Sequence, residues 1–179
     1  MNPWKLSEEE LQARGAEHTA REMCQQPDAW EETTVLLEQQ AAAITAFVKP
    51  LLAKPELRII FTGAGTSAYA GDIIAPYLRE KTGRDILSIA TTDIVSAPHQ
   101  FLHDGRATVL VSFARSGDSP ESIGAFDLAE QLVEEIYQVV ITCNADGALA
   151  RKARELPVQA LALLMARLAA EERFAVTSG

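Results

Sequence analysis

Two segments of this chain concentrate groups that can hold an anion with several oxygens. Residues 62–67, Thr-Gly-Ala-Gly-Thr-Ser, offer backbone N–H groups, hydroxyls and the start of a helix. Residues 112–119, Ser-Phe-Ala-Arg-Ser-Gly-Asp-Ser, offer three hydroxyls, the Arg115 guanidinium and a second helix start. A helix N-terminus presents unpaired N–H groups at the positive end of its dipole, so both segments suit phosphate. A plainer account has the hydroxyls as helix caps, Thr66 and Ser67 for one helix and Ser119, before Pro120, for the other. Capping explains either loop taken alone. Two such loops at one end of a sheet favour a ligand.

Other chemistry is weaker. Gly63, Gly65 and Ala68 match the G-x-G-x-x-G/A dinucleotide pattern, but that reading wants an acid at the end of the second strand. Asp85 precedes that strand and Asp93 comes late. No G-x-x-x-x-G-K-[ST] occurs. His99 and His103 stand four apart and could share a helix face as metal ligands, or His103 could donate a proton in a crevice; a polar surface turn is the simpler account. Cys143 reads as a small buried residue rather than a nucleophile.

The elements that must position these loops alternate. Residues 7–23 read as a helix capped by Ser7, with Glu8, Glu9 and Glu10 as its solvated start, weakened at Gly15 and stopped by Pro27. A second helix is expected over 28–48, with Trp30, Val35, Leu36, Leu37, Ile44 and Phe47 as an apolar face for core or subunit contact. Short apolar runs at 57–61, 86–90, 108–112, 137–142 and 156–164 read as strands, the last with a helical alternative over 160–165. Helices are expected after residue 67 (carrying Ile73, Ile74, Tyr77 and Leu78, closed by Gly83), from Pro120, and over 145–154. Residues 91–104 read as irregular, with one helical turn. This predicts an α/β fold, a flavodoxin-like doubly wound five-stranded parallel sheet of order 2-1-3-4-5, with N-terminal helices. Its switch point lies between strands 1 and 3, where the two loops meet.

The chain has 16 Lys+Arg against 25 Asp+Glu, a net charge of -9. That field opposes nucleic acid and anionic lipid, so neither is an expected partner. Two cysteines form no disulfide framework, and the apolar run 160–166 is far too short to span a bilayer. The expected location is cytoplasmic.

The segments 63–76, G-A-G-T-S-A-Y-A-G-D-I-I-A-P, and 111–122, V-S-F-A-R-S-G-D-S-P-E-S, resemble the sugar isomerase (SIS) domain. More narrowly they look like the tagatose-6-phosphate ketose/aldose isomerase family, in which galactosamine-6-phosphate deaminase/isomerase activity is also described. Residues 25–30, 91–95, 141–144 and 160–165 extend the match. The resemblance implies a helical extension over 1–50 and a phosphosugar-binding domain over 51–179, the first of two in family members. It implies a sugar 6-phosphate ligand, no metal or cofactor, and a homodimer or higher homo-oligomer. The phosphate would lie on Ser116 and Ser119, with Ser112 and Arg115 alongside and Gly117 letting the backbone come close; Gly65, Thr66 and Ser67 would contact sugar or phosphate. Aldose–ketose conversion moves a proton between C1 and C2 through an enediol and needs a base and an acid. Related isomerases draw these from a Glu and a His later in the chain. Here Glu171 and Glu172 follow strand 5 without a His, and 166–174 reads as helical, so the catalytic residues stay unassigned.

Overall fold

The computed structural model describes residues 5–103, 105–156 and 158–165. The helix expected over 166–174, with Glu171 and Glu172, lies outside them. Five parallel strands, β1 (Arg58–Gly63), β2 (Asp85–Ser88), β3 (Thr108–Ala114), β4 (Ile136–Thr142) and β5 (Ala160–Leu164), form one sheet of order 2-1-3-4-5. The segment at 160–164 is thus a strand. Parallel strands are joined by crossover helices, so both sheet faces are covered and their residues are apolar on both sides. On one face Phe61, Val109, Val111, Val139 and Leu163 pack against Leu51 and Ala75. On the other, Ile60 and Leu110 meet Ile94, Leu102, Ala125 and Ala129, and Val140 meets Phe126, Leu149 and Ala153.

The helices around the sheet are α3 (Ala68–Thr82), α4 (Thr91–Ser96), α5 (Pro98–Phe101), α6 (Pro120–Leu132) and α7 (Ala148–Glu155). The stretch expected to be irregular with one helical turn thus holds two short helices between residues 91 and 101. In α3, Ile74 and Leu78 face the core, while Tyr69, Ile73 and Tyr77 form an exposed stripe at spacing four.

Before the sheet come α1 (Glu8–Ala13) and α2 (Glu17–Leu52). Ser7 caps α1 as expected, and Glu10 completes a reciprocal box: the Glu10 amide donates to Ser7 Oγ (3.1 Å) and the Ser7 amide to Glu10 Oε2 (2.7 Å). The break between the helices falls at Gly15, whose φ of 64° is left-handed, rather than at Pro27. Pro27 sits within the 36-residue α2. Pro27 and Met23, whose carbonyl loses its donor, are both exposed, so water can serve that carbonyl.

Among the described residues, α2 joins the core of the sheet through its C-terminal half, by Ile44, Phe47 and Leu51. Trp30 and Val35, expected on the same apolar face, are exposed. Gln40 fixes the helix to the sheet. Its Oε1 accepts from the Leu164 amide (3.0 Å), and its Nε2 donates to the Leu164 carbonyl (3.2 Å) and to the Leu36 carbonyl (2.8 Å). Leu164 ends β5, so the α2 residues before Gln40 run on past the carboxyl end of the sheet.

At the opposite, amino end of the sheet the charged groups are paired inside the fold. Arg58, 3% exposed, donates to Thr108 Oγ1 (3.1 and 3.3 Å) and to His103 Nδ1 (3.1 Å). Burial, then Arg106 nearby, lowers the pKa of Arg58. A guanidinium only donates, so His103 Nδ1 accepts. His103 therefore braces Arg58, at the end of the sheet opposite the turns after β1 and β3, and His99 is exposed on α5. Asp85 pairs with Arg106 (2.8 Å) at this same end, so it is not the ribose acid of a dinucleotide site.

Candidate functional site

The turns after β1 and β3 face each other over the switch point and enclose a cavity of about 510 Å³. Thr66, Ser67, Arg115, Ser116, Gly117 and Ser119, all singled out from sequence, line it. Gly65 opens a 3-10 turn over 65–67 with φ 53° and is not in the lining. Ser112 is 2% exposed within β3, beside Thr62 of β1 in register. The hydroxyls of both are sealed from solvent, with no hydrogen-bond partner among the described residues.

The expected capping does not occur. Ser67 has helical dihedrals (φ −65°, ψ −24°) because the 3-10 turn precedes α3, whereas a cap needs extended backbone, and it makes no side-chain cap. Ser119 has the extended backbone of a cap (φ −67°, ψ 132°) but makes no cap either. Its hydroxyl donates instead to Ser122 Oγ at 2.7 Å. The N-termini of α3 and α6 are thus left without side-chain acceptors beside the cavity.

The 115–118 loop is held in shape from β4 and α7. Thr142 Oγ1 donates to the Arg115 carbonyl (3.2 Å) and Asn144 Nδ2 to the Ser116 carbonyl (3.0 Å). The Leu149 amide donates to the Gly117 carbonyl (3.0 Å), and the Asp118 amide to Ser116 Oγ (3.3 Å). Asp118 Oδ1 accepts from the Ala148 amide (2.8 Å), so its charge serves the α7 N-terminus. Gly147 is required by proximity: a Cβ there would lie 2.2 Å from the Ser116 carbonyl oxygen. Gly117 takes φ 74°, a left-handed conformation that favours glycine.

Ser122, Asn144, Gly147 and the role of Asp118 were not found from sequence. The turn-forming stretch 144–147, Asn-Ala-Asp-Gly, is the one signal for Asn144 and Gly147. Cys143 is half-buried after β4, and Cys24 is exposed. Among the described residues no carboxylate or imidazole lines the cavity, no cluster of three or more metal-ligating side chains occurs, and no helix is long and apolar enough to cross a membrane.

Residues 51–167 match the SIS domain family. The chain is 45% identical over 160 residues to D-galactosamine-6-phosphate deaminase AgaS of Escherichia coli, covering 89% of this chain and 41% of that protein. It is 47% identical over 150 residues to the enzyme of the same name from Shewanella sp. (strain ANA-3), covering 81% and 38%. The crystal structure of tagatose-6-phosphate ketose/aldose isomerase from Escherichia coli superposes with a TM-score of 0.83 at 44% identity, over 89% of this chain and 43% of that one. The chain thus spans about two fifths of the length of these relatives. It belongs to the SIS domain family.

Proposed function

With that membership as premise, we propose that this chain binds a sugar 6-phosphate, its phosphate cradled by Ser116 and Ser119, as part of an enzyme that isomerises or deaminates that sugar. One observation carries the reading: Ser67 and Ser119, placed as helix caps, spend their hydroxyls on no cap and share one cavity with Ser116 and Arg115. Hydroxyls, a guanidinium and two helix N-termini are the chemistry of a phosphate site.

Isomerisation removes a proton from one of C1 and C2 and returns it to the other through an enediol, with no net redox change and no need of a cofactor. Deamination adds water and releases ammonium, converting a 2-amino aldose to a ketose. Both routes require a base and an acid. Since no carboxylate or imidazole of the described residues lines the cavity, these groups come from elsewhere in the polypeptide or from a second subunit. The same observation favours a second reading, a phosphosugar-binding module without turnover.

Assembly belongs to the proposal. The exposed stripe Tyr69, Ile73, Tyr77 is symmetric about Ile73. A two-fold axis there sets Tyr69 of one copy against Tyr77 of the other, an isologous contact. Light scattering is expected to give a dimer or larger, and a monomeric mass removes this part.

The phosphate reading is tested by calorimetric titration with tagatose 6-phosphate, galactosamine 6-phosphate and the unphosphorylated hexoses. Hydrogen bonds to a charged group are worth roughly 1.5–3 kcal/mol, so Ser116→Ala should weaken binding about 10- to 150-fold. Equal binding of phosphorylated and free sugars, together with an unaffected Ser116→Ala variant, would overturn it.

A further inference from the structure

A second cavity of about 470 Å³ adjoins the first and shares Ser67, Phe113, Ala114 and Arg115 with it. Its outer wall is α2, through Gln26, Trp30 and Thr33, and Ile141 and Cys143 contribute from the carboxyl end of β4. The wall exists because α2 runs on past Gln40. Trp30 lies ten residues, roughly 15 Å, beyond that anchor at 1.5 Å per residue.

Trp30 is 65% exposed, although its spacing sets it near the face of the partly buried Ile44. The fold therefore does not use this indole for packing. It stands instead over a chamber with mixed walls: an aromatic face, aliphatic carbons, a carboxamide and hydroxyls. That mixture is the complement of a sugar, whose C–H faces prefer an aromatic plane and whose hydroxyls need amide and hydroxyl partners. Arg115 lies on the seam, so a ligand with its phosphate in the first chamber can reach the second without crossing a charged group of its own sign.

We infer that the second chamber holds the unphosphorylated end of the sugar, with the Trp30 indole as its platform and Gln26 and Thr33 facing its hydroxyls. This rests on the proposal that the phosphate occupies the first chamber. It makes the stretch of α2 around Trp30, which precedes the SIS match, part of the substrate site.

The chain has two tryptophans, so Trp30 is the sole indole in a Trp4→Phe background. Tagatose 6-phosphate should change Trp30 emission, whereas inorganic phosphate, confined to the first chamber, should not. Trp30→Ala should weaken tagatose 6-phosphate roughly 5- to 30-fold, the range of an aromatic anchor. It should leave phosphate affinity unchanged, and Trp30→Phe should restore most of the loss. If tagatose 6-phosphate binds with unmoved emission and Trp30→Ala binds it normally, the second-chamber assignment is wrong while the phosphate site stands. Equal weakening of sugar phosphate and phosphate would show that Trp30 only shapes the fold, which also overturns it. If the unsubstituted protein binds neither probe, the phosphate site itself falls, and this inference with it.

Discussion

The two ends of the sheet treat their polar groups in opposite ways. At the amino end, Arg58 is buried against Thr108 and His103, Arg106 meets Asp85, and Lys54 meets Glu135 at 2.6 Å. Arg84 adds hydrogen bonds to the Leu52 and Lys54 carbonyls. Charge there is neutralised or hydrogen-bonded within the fold. At the carboxyl end, the hydroxyls of Ser67 and Ser119 cap nothing, and those of Thr62 and Ser112 meet no partner among the described residues. A polar group left unsatisfied costs free energy. Thr62 and Ser112 carry that cost on the strands whose following turns enclose the cavity. Charge pairing marks the amino end, and uncommitted hydroxyls mark the end that holds the cavity.

The sharpest way to break this contrast is Arg58→Met. Losing the charged hydrogen bonds to Thr108 and His103 should cost about 2–4 kcal/mol, since each is worth roughly 1.5–3 and the new side chain packs in part. For a domain of this size the melting point should fall by roughly 5–15 °C. Tagatose 6-phosphate affinity, measured below the melt, should not change. A variant that melts normally would mean the amino end is not the scaffold described here.

Gly147→Ala acts across the contrast. Its Cβ would press on the Ser116 carbonyl oxygen at 2.2 Å, so the 115–118 loop must move. Overpacking of this kind costs about 1–3 kcal/mol, and affinity should fall with stability in paired melts and titrations. Unchanged affinity would separate the α7 loop from the cradle.

Ser119→Ala should have the smallest effect on stability, within about 0.5 kcal/mol, because its hydroxyl caps no amide. Its whole effect should appear in phosphosugar affinity. A thermal melt showing a loss near 1 kcal/mol, the usual worth of a cap, would assign Ser119 to the scaffold after all.

The sheet order and the two facing loops were legible because β-branched runs ending in Gly/Ser turns are local signals, and parallel connectivity brings the turns after β1 and β3 together. What braces those turns was not. Asn144 reaches Ser116 across 28 residues and Asp118 reaches Ala148 across 30, and no local pattern encodes such contacts. Ser67 and Ser119 had the residue type and position of caps; the 3-10 turn in one case and the Ser122 hydroxyl in the other redirected them. Pro27 was read as a stop because propensity is intrinsic, whereas its exposure on α2 depends on where the helix lies. His103 looked available for chemistry until Arg58, 45 residues away, claimed its lone pair.

The pairing of Gln40 with Leu164 bears on how this sheet avoids growing. Among the described residues β5 is an edge of the parallel sheet, and a bare edge is a template for strands of other molecules. One carboxamide supplies the donor and the acceptor that an incoming strand would bring to Leu164, and so blocks its last rung. Strand addition at that end would first have to displace α2, so the seal opposes edge-to-edge aggregation.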